Sequence, residues 1–335
     1  MRSADVHFHL TEEQAAIQEA VRGTLADHWP LERLHAFANG DADFDPDSWD
    51  ALMALGLGGV LAPDSGMGLL EAALVCEVAG ERAAPGPLVG QLLAVAAVAH
   101  WDDCDAGLRD ALTSGTVTVA LMHGGSSYVP CARSAGQFLV VDRTRGVRLV
   151  EAADATIEPV RASDRSRPAS KVEIAAGAGR SLFAADHPMT ARLADAALVL
   201  VAADALGGAQ RVTDMSVAYA KEREQFGQPI GRFQGLKHQL AHMALDVEPA
   251  RALVWYAAYA WDAELPDAAR AAAMAKAHLC DIYVRATRAA VAAHGGIGYT
   301  WEYGLHYWFR RAAFNRAWLG SPAEHRARAA GLAGW

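Results

Sequence analysis

Between Leu193 and Gly208 the chain reads LADAALVLVAADALGG, apolar on nearly every side of a helical repeat. A helix of that kind has to be enclosed by other elements. The helical pattern around it runs from Ala191 to Lys221, so it needs long neighbours. Helices expected over Gly235–Ala263, Ala268–Ala293 and Glu302–Trp318 supply them. Three or four long antiparallel helices make a bundle. Gly295 and Gly296 follow a helix end, where left-handed backbone favours glycine. Ser321-Pro322-Ala323-Glu324 is a capping box with proline at its first helical position.

The rest of the chain divides by pattern. Residues 11–115 read as mostly helical, opening on the capping box Thr11-Glu12-Glu13-Gln14 with apolar Ile17, Ala20, Val21 and Leu25 at helical spacing. Asp45-Pro46 starts a second helix, and further helical patterns cover Leu69–Ala79 and Leu88–Ala99. Residues 116–185 change character: VTVALMH, QFLVVD, GVRLVE and KVEIA are short β-branched runs separated by Gly, Ser and Asp. The expected fold is mainly α with a small β domain. Its expected domains are a helical one over 1–115, a truncated β domain over 116–188 and a helical bundle over 189–335.

A length of 335 residues suggests two or three structural units. The formal charge of −9 argues against a nucleic-acid partner, which needs a basic surface. Cys76, Cys104, Cys131 and Cys280 form no CxxC pair, which excludes a zinc ribbon and fits reduced thiols in the cytoplasm. The clean apolar stretch Leu88–Ala99 is too short to span a bilayer, and no membrane association is expected.

Several catalytic motifs fail. Gly66-Met67-Gly68 meets Glu71 where a dinucleotide fingerprint needs glycine, and Gly295-Gly296-Ile297-Gly298 follows a helix instead of a strand. No P-loop is present. His238 and His242 share a helix face, but Gln239 stands where a zincin has its glutamate, so no metal is expected. Ser126 does not complete a GxSxG motif.

One constellation rises above these. Lys221-Glu222-Arg223-Glu224-Gln225-Phe226-Gly227 ends the first long helix, Phe233-Gln234 follows, and His294-Gly295-Gly296-Ile297-Gly298-Tyr299-Thr300-Trp301-Glu302 comes about sixty residues later. Arg223 offers a forked cation suited to a pyrophosphate, and the glycine pair lets backbone approach a flat ring. These segments resemble the C-terminal domain of acyl-CoA dehydrogenases, with R-x-x-F-G, the F-Q step and G-G-x-G in order. LGLGGVLAPDSGMG is similar to a shortened form of that family's N-terminal turn. The resemblance implies a helical N-terminal domain, a β-barrel-like middle domain and a C-terminal four-helix bundle. It also implies FAD held between two subunits, with Arg223, Gln225, Phe226, Gln234, Gly295 and Gly296 contributed in trans. Ala292 stands where the family often has glutamine, which weakens the adenosine contact. The implied substrate is an acyl-CoA thioester, and the implied acceptor is an electron-transfer flavoprotein or a similar protein.

The departures narrow this further. The family's chemistry needs a carboxylate to remove the α-proton. Leu319, in Ala317-Trp318-Leu319-Gly320-Ser321, occupies one position for that glutamate. The alternative position on the first long helix falls near Ala197. The middle domain has Met122-His123-Gly124-Gly125-Ser126-Ser127 in place of the family's T-E-P-x-x-G-S segment. The pattern resembles the subunit without a catalytic glutamate in heteromeric, sterol side-chain type acyl-CoA dehydrogenases, which implies a second subunit in an α2β2 complex. The resemblance also implies that an incomplete second pocket leaves room for a bulky thioester. Three alternatives stay open: an autonomous homomeric enzyme with Asp195 or Glu302 as a displaced base, a non-redox thioester enzyme, and a flavin-free scaffold. Glu302 is expected to pair with Arg310 or Arg311.

Overall fold

The computed structural model describes residues 9–335. Six helices open the chain: α1 (Glu12–His28), α2 (Leu31–Asn39), α3 (Pro46–Ala54), α4 (Leu69–Glu81), α5 (Leu88–Ala99) and α6 (Ala106–Thr113). Both expected N-terminal caps form. Thr11 and Gln14 close a reciprocal capping box, and Asp45 accepts from the Ser48 N–H ahead of Pro46.

Seven strands follow: β1 (Val119–His123), β2 (Tyr128–Pro130), β3 (Gln137–Asp142), β4 (Gly146–Glu151), β5 (Ala155–Val160), β6 (Ala169–Ile174) and β7 (Arg180–Phe183). They make a four-stranded sheet in the order β1-β3-β4-β7 and a three-stranded sheet in the order β2-β6-β5. The first sheet is covered on both faces, and its side chains alternate accordingly. Leu139 and Val141 of β3 face the helical core, whereas Phe138 and Val140 face Val129 and Val172 of the second sheet.

The chain then runs through α7 (Pro188–Glu222), a short hairpin of β8 (Glu224–Gln225) and β9 (Gln228–Pro229), α8 (Gln234–Asp262), α9 (Ala268–His294), α10 (Leu305–Ala317) and α11 (Pro322–Leu332). Helix α7 is enclosed as its composition requires: every residue from Leu193 to Ala209 is buried. It meets α4 at backbone distance. A Cβ added to Gly207 would stand 1.8 Å from the Glu77 carbonyl oxygen, and one added to Gly80 would stand 2.1 Å from that of Asp204. No described helix is long and apolar enough to cross a membrane.

Helix α7 is antiparallel to α8, and α8 to α9. The C-terminus of α7, the N-terminus of α8 and the C-terminus of α9 therefore share one end of the bundle. Stacking of Tyr219 of α7 on His294 of α9, with ring centroids 4.6 Å apart, fixes that juxtaposition.

Candidate functional site

The shared end collects the residues that the sequence singled out. Arg223 caps α7, donating its backbone N–H to the Tyr219 carbonyl over 2.8 Å. Gln225 and Phe226 lie in the β8–β9 hairpin. Phe226 sits at its tip with φ +54° and is 93% exposed, its ring edge-on to Phe233. Gln234 opens α8, whose N-cap Phe233 offers no side-chain acceptor to the first-turn N–H groups. Gly295 and Gly296 begin a 3-10 turn (Gly295–Tyr299) at the end of α9, and Ala292 is exposed one turn before it.

These groups fit an anionic, flat ligand. Among the described residues, Arg223, Lys221, Arg232 and Lys237 make no ion pair, so four cations at this end stand without a carboxylate partner. The uncapped N-terminus of a 29-residue helix adds a positive dipole end. Gly295 needs its glycine for φ +63°. Gly296 has neither a positive φ nor any atom within 4 Å of an added Cβ, so nothing inside this chain demands glycine there. An external group approaching the backbone would. The side chains that organise this end were not assigned roles from the sequence: Tyr219, His294 and Tyr303. The spacing of Tyr219 one turn before Arg223 was the available signal.

The other candidate residues lie elsewhere. Ala197 and Tyr219, both on α7, are 22 residues apart, about 33 Å along the axis at 1.5 Å per residue. No one small-molecule pocket in this chain spans both ends. Leu319 is 7% exposed and takes a left-handed φ of +64°. Its carbonyl receives His325 Nε2 over 2.8 Å, and the carbonyl of Gly320 receives the buried Lys276 Nζ over 3.1 Å. Ala197 is fully buried. The nearest carboxylate, Asp195, is buried, and its Oδ1 is clamped by Arg143 Nη2 at 2.6 Å and Arg328 Nη1 at 2.7 Å. A general base needs a lone pair free to meet the substrate proton; the two guanidiniums occupy Oδ1, and Oδ2 has no side-chain partner among the described residues.

One expectation is corrected. Glu302 is exposed and pairs with neither arginine among the described residues. Arg310 instead donates to the Ser163 carbonyl and lies over the Trp301 ring, while Arg311 is drawn inward to Asp204. The cavity bordered by Trp318, Arg167, Asp204 and Arg311 has about 30 Å³, room for a water or two.

That cavity is closed by an ionic network invisible to motif reading. Asp204 of α7 accepts from Arg167 Nη2 at 2.6 Å, from Arg311 Nη2 at 2.5 Å and from Asn315 Nδ2 at 2.6 Å, and Arg167 also bonds Asn315. Burial alone would raise the Asp204 carboxyl, but Arg167 and Arg311 hold it below the usual carboxylate range. The only signal in the sequence was an aspartate inside an otherwise apolar run.

His306, against Trp301 and Tyr307, has both ring nitrogens buried without a partner. Burial, then Arg310 and His35, push its pKa down from 6.5 to about 4, and burial with Arg143 and His325 does the same to His123. Between those pH values the unfolded chain binds protons that the folded chain refuses, so stability falls as pH falls through that window. Urea midpoints should drop from pH 7 to pH 5, and His306→Gln should shrink the drop.

Comparisons with known proteins identify the family. Residues 189–331 match the model of the acyl-CoA dehydrogenase C-terminal domain. Acyl-CoA dehydrogenase IpdE2 of Mycolicibacterium smegmatis is 31% identical over 326 residues, covering 95% of this chain and 98% of the relative. The chain belongs to the acyl-CoA dehydrogenase family. This acyl-CoA dehydrogenase is also similar to a solved steroid acyl-CoA dehydrogenase, Tcur3481-Tcur3483 (a G363A variant), with a TM-score of 0.85 and 26% identity over 96% of this chain and 98% of that one. The ChsE4-ChsE5 complex from Mycobacterium tuberculosis shares the fold, with a TM-score of 0.85 and 22% identity over 98% and 99% of the two chains. FAD is the cofactor of this family, and the exposed donor set around Arg223 is chemically suited to its pyrophosphate.

Proposed function

We propose that this chain is one subunit of a heteromeric FAD-dependent acyl-CoA dehydrogenase, giving half of a flavin site to a partner that carries the catalytic glutamate. The observation that carries the reading is the split along α7. The donor set at one end is exposed and unpaired, while both positions for a base at the other end are buried hydrocarbon. The similarity to a protein described as a steroid acyl-CoA dehydrogenase supports a bulky steroid-type acyl group. In this reading the partner subunit supplies most of the room for such a group.

Bound FAD supplies the hydride acceptor for α,β-desaturation of the thioester. In this chain Arg223 would neutralise the pyrophosphate with its fork of N–H donors, Gln225 and Gln234 would add neutral donors, and Gly295 and Gly296, lacking side chains, would let the ligand approach closely. Phe226 presents an exposed ring face for stacking. The acceptor implied by this reading is an electron-transfer flavoprotein or a similar protein.

Asp195→Asn separates this reading from an enzyme with its own base. The co-purified complex should keep turnover within a few-fold, because the carboxylate is held by Arg143 and Arg328 and does no proton chemistry. A loss on the order of 10³-fold, with the complex still folded, would place the base in this chain.

A further inference from the structure

We propose that His294 is a positioning residue that, through Tyr219 and Tyr303, sets the Gly295–Gly296 turn in register with Arg223. The inference rests on the flavin half-site reading and assigns the residues that hold that site's two sequence-distant pieces together.

The pieces are joined by side chains. Arg223 follows the last turn of α7 and hangs from the Tyr219 carbonyl. The glycine turn begins directly after His294, the last residue of α9. The two rings that precede these pieces, Tyr219 and His294, stack at 4.6 Å and 25°. His294 is buried, and each of its ring nitrogens is committed. Nδ1 lies 2.7 Å from the Ala290 carbonyl oxygen, which only accepts, so Nδ1 carries the proton. Nε2 is then the acceptor for the Tyr303 hydroxyl at 2.9 Å. Tyr303 lies beyond the turn, before α10, and its ring is edge-on to Tyr219 at 6.1 Å. Gly298, within the turn, is packed against the His294 Cβ.

The imidazole thus has one tautomer, one ring plane and contacts on both sides of the glycine pair. Burial lowers its pKa, against the pull of the Ala290 carbonyl, in keeping with a neutral ring that both donates and accepts. An aliphatic residue could fill the volume but could not fix the turn's path, because the Tyr303 hydroxyl would lose its acceptor. The groups lined up by this arrangement are the Arg223 fork and the backbone of Gly295 and Gly296. The Gly295 N–H is already tied to the Val291 and Ala292 carbonyls at the end of α9, whereas the Arg223 side chain makes no hydrogen bond or ion pair among the described residues.

The test is the FAD dissociation constant of the deflavinated complex, titrated by flavin fluorescence, together with its unfolding midpoint. Tyr303→Phe keeps the ring and removes one hydrogen bond; it should weaken FAD about 3- to 10-fold. His294→Leu should weaken it by about tenfold or more, and His294→Gln, which can still donate and accept, should recover part of that loss. The midpoint should move little in Tyr303→Phe and His294→Gln. Arg223→Ala is the control for the underlying reading. If Arg223→Ala weakens FAD while Tyr303→Phe and His294→Leu leave it unchanged, the positioning role is wrong. A parallel fall of affinity and midpoint without recovery by glutamine overturns it too, leaving a packing role. If Arg223→Ala itself has no effect, the flavin half-site fails before His294 is at issue.

Discussion

Replacing Asp204 by alanine should lower the unfolding free energy by about 3–5 kcal/mol, measured by urea denaturation at pH 7. The carboxylate is 2% exposed, and Arg167 and Arg311, both buried, converge on it. Removing it leaves two guanidiniums in the interior without an ion-pair partner, with only the more distant buried Asp164 carboxylate as countercharge. The bond from Arg311 to the Ala84 carbonyl at 3.0 Å and its bond to Ser166 Oγ at 3.1 Å do not supply another. The network joins α7, α10, the segment before α5 and the linker between β5 and β6, so the loss reaches all parts of the fold at once. Asp204→Asn should also destabilise, since it keeps the shape but not the charge. A cost below about 1 kcal/mol would mean that water reaches the arginines and that the filled interior described here is wrong.

The second large effect belongs to Arg223. In the co-purified complex, Arg223→Ala should weaken FAD by about 10- to 100-fold, the range expected for losing hydrogen bonds to a charged group. Stability should stay near wild type, because the side chain is exposed and makes no hydrogen bond or ion pair among the described residues. Flavin absorbance per complex after gel filtration reads the first quantity, and a thermal melt reads the second. Unchanged flavin occupancy would remove Arg223 from the site. Raising the salt concentration should weaken the wild type more than the variant, since an exposed charge pair is screened.

Much of the fold was legible because its strongest patterns are local. The run from Leu193 to Gly208 announces a helix enclosed on all sides, and α7 is that helix. Helix α5 spans Leu88–Ala99, as its apolar run indicates. The strands divide by length and apolar content more than by position, since β1, though an edge, is strongly apolar. β1, β3, β4 and β6 were readable. The strands missed, β2, β5 and β7, are all sheet edges, and each is short or polar: YVP, ATIEPV and RSLF. An edge strand is recruited by backbone hydrogen bonds and carries less of the apolar alternation that marks a strand.

The site was legible in a different way. Arg223, Phe226 and Gly295 were named from motif resemblance, and the fold brings them to one end of the bundle. The pieces that position them were not. Tyr219, His294 and Tyr303 come from three segments, and only the packing of α7 against α9 brings their rings together. The same limit applies to Asp195. Its place on the long helix made it a candidate base, and only the fold shows Arg143 from the β3–β4 turn and Arg328 from α11 closing on it.

The proposal stands or falls on whether this chain completes a flavin site by itself. The most direct measurement is the 450 nm flavin absorbance and acyl-CoA desaturation of the chain purified alone, beside the same chain co-expressed with a second acyl-CoA dehydrogenase subunit. The account predicts a colourless, inactive chain that gains FAD and activity only with its partner. A yellow chain that desaturates an acyl-CoA on its own would contradict it.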